Sequence, residues 1–332
     1  LDLLHTHPHF LGERLRLESN LYYEKQTRGT SGLNLTSFGL AAGSRFRTGR
    51  DLLHLVTAQI EIVDPALHPD APDSLRLAFA ANQIRENETR SLNYSLLDDR
   101  RDNPFRPARG AMLTGQAELA GGFMGGDNSF VKGVTGWHLY QRLGERAGVV
   151  AVRVSVGAVR PYGDSAGRGV PYQERFFAGG ASSVRGYLEA SLGPQITAAS
   201  LDSLISSGTP VESPAAGGNY LLLANVEWRF PLPLLSRWKL GGVLFVDSGN
   251  VWDRLEDVQL RGFRWRSYPR GPQEPGATKL WDYRYSVGTG LRLDTPFGPF
   301  RFDVGFPLKR ARLSESVTED KVMVHFSLGY PF

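Results

Sequence analysis

Histidine is the side chain best suited to move protons or hold a metal near neutral pH. The chain carries it at positions 5, 7, 9, 54, 68, 138 and 325. None of these stands in a segment with an evident nucleophile or activating partner, so a hydrolase built on Ser/His or Asp/His chemistry has no visible machinery. His5, His7 and His9 share one face at strand spacing, which is a possible ligand pattern. Pro8 interrupts them, no cysteine or acidic partner is near, and a turn is the expected structure there. No catalytic residue, metal or cofactor is expected. A second concentration of unusual residues is Glu174-Arg-Phe-Phe-Ala-Gly-Gly-Ala-Ser-Ser-Val-Arg-Gly-Tyr187, followed by Ser191-Leu-Gly-Pro194, which is far richer in glycine and aromatics than an ordinary exposed loop. An Arg-Gly-aromatic triplet alone is weak, because it usually means a solvated arginine.

The elements that must position such a loop are strands. Glycine at 38 of 332 residues, 11% aromatics and three methionines fit a turn-rich β chain. No apolar run approaches the ~18 residues of a membrane helix. With no cysteine, disulfides contribute nothing, and a net charge of +4 gives no reason to invoke nucleic acid. Leu1 is not followed by a signal peptide, so a mature or truncated chain is expected. Period-two alternation recurs throughout. Trp281, Tyr283, Tyr285, Val287, Leu291 and Leu293 oppose Asp282, Arg284, Ser286, Gly288, Arg292 and Asp294. Phe300, Phe302, Val304, Phe306 and Leu308 oppose Arg301, Asp303, Gly305 and Lys309. Val322, Val324, Phe326, Leu328, Tyr330 and Phe332 oppose His325, Ser327 and Gly329, so the last strand is expected to run to the final residue.

The same alternation marks 14–24, 52–62, 90–97, 111–119, 130–141, 149–159, 219–230 and 239–252, with a weaker candidate over 33–46 whose phase slips near Ser37. About twelve strands and an N-terminal stub result. A soluble sandwich and a membrane barrel both alternate in this way. Aromatics near strand ends and strands of about ten residues favour the barrel, as do connections that alternate between short turns (103–109, 144–148, 231–237, 294–299) and long loops (64–89, 161–217, 253–280). Short turns would face the periplasm and long loops the exterior. No second domain is marked, so residues 1–332 read as one all-β transmembrane antiparallel barrel domain.

The loop Phe177-Ala-Gly179-Gly180, then Val184-Arg185-Gly186-Tyr187, resembles the Val-Arg-Gly-Phe/Tyr motif of the BamA/TamA family of outer-membrane assembly and translocation barrels, within the bacterial surface antigen superfamily. Asn225-Val-Glu-Trp-Arg-Phe-Pro231, Phe245-Val-Asp-Ser-Gly-Asn-Val-Trp252, Gly290-Leu-Arg-Leu-Asp-Thr-Pro-Phe-Gly-Pro299 and the turn Asp98-Asp-Arg-Arg-Asp-Asn-Pro-Phe-Arg-Pro-Ala-Arg-Gly110 follow the family order. The resemblance covers the chain from about residue 5. It implies a sixteen-stranded barrel of which this sequence lacks the first strands, with His5-Thr-His-Pro-His-Phe10 near the end of the fourth and the periplasmic POTRA domains upstream.

A loop folded into a barrel lumen would take Arg185 out of bulk water, where a guanidinium needs an acidic partner. By strand phase Glu227 shares the lumen-facing set of Asn225 and Arg229, opposite Leu222, Ala224, Val226 and Trp228. Asp247 is opposite Leu244, Val246 and Trp252. On phase alone both could be water-screened lumen carboxylates; the resemblance implies that they pair with Arg185. Gly186 would permit close approach or positive φ, and Tyr187 would pack the loop tip against the wall. The ending Phe326, Leu328, Gly329, Tyr330 and Phe332 resembles the C-terminal signal of outer-membrane barrels and a weakly paired closing strand, since Pro331 cannot donate to a ladder.

The implied function is assembly and insertion of outer-membrane or autotransporter clients in the outer membrane of a Gram-negative-type bacterium, without enzymatic chemistry. The partners implied are unfolded clients, outer-membrane lipids, POTRA domains, lipoproteins or an inner-membrane protein. The alternative is a two-partner secretion pore, and a passive porin is disfavoured because such a loop would plug it.

Overall fold

The structure is a computed structural model. It describes the chain except residues 1, 8–14, 29–32, 50, 70, 72–74, 77–78, 80–83, 145–146, 196–214, 233–239, 259–281, 296–297, 312–318 and 330–332. Among the described residues, thirteen strands form one antiparallel sheet in strict sequence order: β1 (Asp2–His7), β2 (Leu15–Arg28), β3 (Leu33–Thr48), β4 (Leu52–Leu67), β5 (Asn87–Asp99), β6 (Gly110–Ala120), β7 (Phe130–Gly144), β8 (Gly148–Pro161), β9 (Tyr220–Pro231), β10 (Leu240–Trp252), β11 (Arg284–Thr295), β12 (Gly298–Pro307) and β13 (Met323–Leu328). The expected dozen strands and stub are therefore present. Among the described residues no helix is long and apolar enough to cross a membrane.

Alternation works here because successive side chains leave a strand on opposite faces. Val226, Trp228, Leu244, Val246, Leu291 and Phe302 are exposed on the outer face, whereas Asn225, Glu227, Asp247, Arg292 and Asp303 are buried on the inner one. An exposed apolar band over an inward polar set is the division a lipid-facing sheet requires.

The connection between β8 and β9 shows that the sheet curls. Tyr172 in this loop packs with Leu33, Leu35 and Val63 of β3 and β4, and the Gln173 side chain donates to Asn87 Oδ1 at the start of β5. Further along the loop, Gly186 reaches His325 of β13. In a flat sheet β3 and β13 would lie roughly 48 Å apart at ~4.8 Å per strand. Tyr172 and Gly186 are separated by a span that would reach that far only if fully extended, and 3-10 turns and tight glycine turns shorten it. The wall must therefore wrap around the loop.

Several expectations are corrected. The strands run longer than the alternation marked: β4 reaches Leu67 and β5 begins at Asn87, so the connection between them is shorter than 64–89. Across from β4, β3 keeps an unbroken register through Ser37, and the change of apolar phase there puts Leu33 and Leu35 on the inner face and Phe38 and Leu40 on the outer one. His5 and His7 lie in β1 instead of a turn, paired with Ser19 and Leu17 of β2; His9 is outside the described residues. The last strand ends at Leu328, Gly329 turns with φ of 90°, and Tyr330 and Phe332 are outside the described residues, as is Trp281. The inner face is not uniformly polar either. Toward the long-loop end it carries Phe130, Val159, Leu223 and Val251, which form a core with Val184, Tyr187 and Leu192 of the loop.

Trp252 also departs from the lipid-facing set in which its phase places it. It is 1% exposed, stacks on Tyr283 with ring centroids 6.2 Å apart, and its carbonyl accepts from the Asn219 N–H of the returning loop at 2.7 Å. The Trp252→Ala variant should cost ~3–5 kcal/mol of stability by emptying that site, measured as a shift in the urea midpoint of the membrane-embedded protein. Short turns are built by local chemistry. Between β5 and β6, Asn103 Oδ1 accepts from the Phe105 and Arg106 N–H groups and Asp102 Oδ1 from Ala108 N–H, an Asx arrangement that closes the chain without strands.

Candidate functional site

The site is assembled by register. Antiparallel pairing sets Phe245 opposite Glu227 and Asp247 opposite Asn225 across β9 and β10, and Asp303 opposite Gly290 across β11 and β12. Three carboxylates, one each from β9, β10 and β12, thereby share the inner wall. Arg185 descends onto them from the loop.

Its guanidinium binds Asp247 with two parallel bonds, Nε to Oδ2 at 2.6 Å and Nη2 to Oδ1 at 2.8 Å. Its backbone N–H adds a third to Asp247 Oδ2 at 3.1 Å. Nη1 donates to Glu227 Oε1 at 2.6 Å and to Asp303 Oδ2 at 3.4 Å. The guanidinium carbon lies 3.6 Å from the Phe245 ring centre, so the planar cation is satisfied by carboxylates in its plane and by an aromatic face above it. Arg185 is 2% exposed, and Glu227 and Asp247 are 0%. Burial alone would lower the arginine's pKa; the carboxylates, Asp247 first, outweigh it and hold the group above its ordinary value.

Charge does not stop at these four groups. Arg229 Nε donates to Glu227 Oε2 at 2.9 Å. Asp303 receives Arg292 at 2.6 and 3.1 Å and Arg301 at 3.2 Å. Four guanidiniums thus surround three carboxylates in one buried network. The loop backbone is held alongside: Arg153 Nη2 donates to the Ser182 carbonyl, Asn225 Nδ2 to that of Ser183 and Arg301 Nη2 to that of Ala181.

Glycine makes the approach possible at Gly186, where φ is 92°. An added Cβ there would stand 3.2 Å from Ser286 Cβ and 3.3 Å from the Gly305 carbonyl carbon, so the conformation disfavours a side chain and the neighbours would have to shift by a few tenths of an ångström to admit one. Tyr187, 2% exposed, donates its hydroxyl to the Lys309 carbonyl at 2.6 Å, with the Tyr285 carbonyl at 3.0 Å; burial pushes its phenol pKa up. Val184 is fully buried in the core beneath the loop. Phe177 packs edge-on to Tyr172 at 5.1 Å. Gly179 and Gly180 take positive φ at the turn where Gly180 N–H donates to the Tyr187 carbonyl. The structure therefore brings Arg185, Glu227 and Asp247 together. It sets Phe326 and Leu328 on the outer face, where Phe326 stacks on Phe300 at 5.9 Å.

Asp303, Arg292, Arg301, Phe245 and His325 belong to the site but carry no role in the sequence reading. Alternation did place Asp303, Arg292, Arg301 and His325 on the polar face; what was missing was the strand register that makes them neighbours. Among the described residues no cluster of His, Cys, Asp or Glu is arranged to hold a metal ion.

Comparison with known proteins bears on this arrangement. The model of the Omp85 superfamily domain matches residues 1–332. An outer membrane protein assembly factor BamA from Nitratidesulfovibrio vulgaris is 28% identical over 259 residues, covering 76% of this chain and 27% of the relative. A sorting and assembly machinery component 50 homolog B from Xenopus laevis is 37% identical over 208 residues, covering 61% of this chain and 38% of the relative. The crystal structure of BamA from Haemophilus ducreyi lacking POTRA domains 1–3 superposes with a TM-score of 0.71 at 17% identity over 98% of this chain and 62% of that one, a likeness of fold. The chain spans between about a quarter and two fifths of the two curated relatives.

Proposed function

The chain belongs to the Omp85 superfamily, and from that premise we propose that it is the barrel part of an outer-membrane assembly factor that inserts client β-barrel or autotransporter proteins in a Gram-negative-type bacterium. The observation that carries this reading is the buried Arg185 network in a chain that the family model matches from residue 1 to residue 332. The relatives named as assembly factors support it. The work is physical and not enzymatic. Client strands are templated by hydrogen-bonding edges of the wall, while an exposed apolar band meets lipid. The described part of the loop packs on the inner wall through apolar clusters and a charge network, which opposes a role as an open pore. Its partners on this reading are unfolded outer-membrane or secreted clients and membrane lipids, with POTRA domains, lipoproteins or an inner-membrane protein supplied by the longer assembly.

The direct test is reconstitution. The full-length protein in phospholipid vesicles should speed protease-protected insertion of an unfolded outer-membrane barrel by at least about tenfold over protein-free vesicles, equivalent to ~1.4 kcal/mol off the barrier. Equal rates would refute the proposal.

A further inference from the structure

Like β1 at the other edge, the last strand is a short and weakly held member of the wall. Pairing with β12 extends over six residue positions, Phe300↔Leu328 to Gly305↔Met323, against sixteen between β3 and β4. Among the described strands β13 has no neighbour on its other side. A strand held by so few ladder bonds is sensitive to any additional tether.

Such a tether is present, and it comes from the loop tip. The Gly186 N–H donates to His325 Nε2 at 2.9 Å. His325 lies on the inner face of β13, directly across from Asp303 on β12. Because the backbone amide can only donate, Nε2 must be the acceptor, and the ring is the neutral tautomer with its proton on Nδ1. Gly305 makes the contact geometrically possible: a Cβ at that position would fall 2.5 Å from Gly186 N and 2.7 Å from Gly186 Cα. The loop backbone therefore rests directly on the backbone of β12, two residue pairs along the ladder from the pair that His325 forms with Asp303. Arg185, immediately before, is fixed to β9, β10 and β12.

We infer that His325 and Gly305 are positioning residues that lock the arginine loop to the last two strands, so that β13 holds its place on β12 only while the loop tip is seated. Loop docking and closure of the final strand are then one coupled equilibrium. This goes beyond the proposed assembly function and does not depend on it, because it is read from the motion of the strand and not from client insertion.

Hydrogen exchange by mass spectrometry on the full-length protein in lipid nanodiscs tests it. His325→Leu removes the acceptor. The His325→Gln side chain offers an oxygen near the Nε2 position. Gly305→Ala displaces the loop tip and leaves His325 intact. Losing one ordinary neutral hydrogen bond should raise exchange of the peptide spanning β13 about fivefold, in both His325→Leu and Gly305→Ala. Exchange at residues 183–187 should rise with it, and His325→Gln should stay within about twofold of the parent. In an Arg185→Ala background, where the tip is already free, His325→Leu should add nothing. Unchanged β13 exchange in His325→Leu, or equal exchange in the Leu and Gln variants, overturns the inference. If His325→Leu fails to assemble, Gly305→Ala decides alone: faster exchange in β13 supports the coupling, and parental exchange overturns it.

Discussion

Replacing Arg185 by alanine should destabilise the barrel by ~3–5 kcal/mol, because it removes the cation from carboxylates that stay buried. The loss falls unevenly. Glu227 keeps Arg229, and Asp303 keeps Arg292 and Arg301. Asp247 loses both side-chain bonds to the guanidinium and depends on the loop backbone for what remains. An Arg185→Ala/Asp247→Asn double variant should therefore be more stable than the sum of the two single losses. Urea unfolding in micelles supplies the energies. Limited proteolysis supplies the location, since cleavage should appear within residues 173–195 of the single variant and not in the parent. A lysine at 185 would fall between, as a point charge cannot reproduce the two parallel bonds to Asp247.

Asp303→Asn should be comparably costly, again ~3–5 kcal/mol, for the opposite reason. Arg292 and Arg301 are directly opposed across β11 and β12, where like charges repel. Asp303 is the carboxylate that both bind, and all three are buried. Neutralising it leaves four guanidiniums facing two carboxylates. Arg301→Gln should then restore part of the stability in the Asp303→Asn background while costing stability on its own. That sign reversal, read from the same urea titration, distinguishes charge balance from simple loss of packing.

The two variants mark how far the sequence is readable. Alternation places Glu227, Asp247, Asp303 and Arg292 on the inner face because side-chain direction depends only on position along one strand. It cannot say that Asp303 and Arg292 touch, because that depends on pairing register between strands joined by turns, which a single strand's pattern does not contain. Trp252 shows the second limit: its phase is outward, yet it is buried and stacked on Tyr283. Tertiary cover overrides phase wherever another segment lies across a strand end. The loop is the third case. Its glycines announce tight backbone geometry, but the descent of Gly186 onto Gly305 requires a curved wall that no local pattern encodes. The pairing of Arg185 entered through family resemblance, and the geometry supplies what the resemblance lacked: Asp303 as a third carboxylate and His325 as the loop's contact with the last strand.

On the proposed function, Arg185 and its carboxylates act as one unit on which client insertion depends. The initial rate of client insertion into vesicles should be measured for Arg185→Ala, Asp247→Asn and the double variant of the full-length protein. Residues that act as a unit are not additive, so the double variant should insert no more slowly than the worse single variant, with both singles at least about tenfold below the parent. Insertion at the parental rate by Arg185→Ala, or losses that multiply in the double variant, would contradict it.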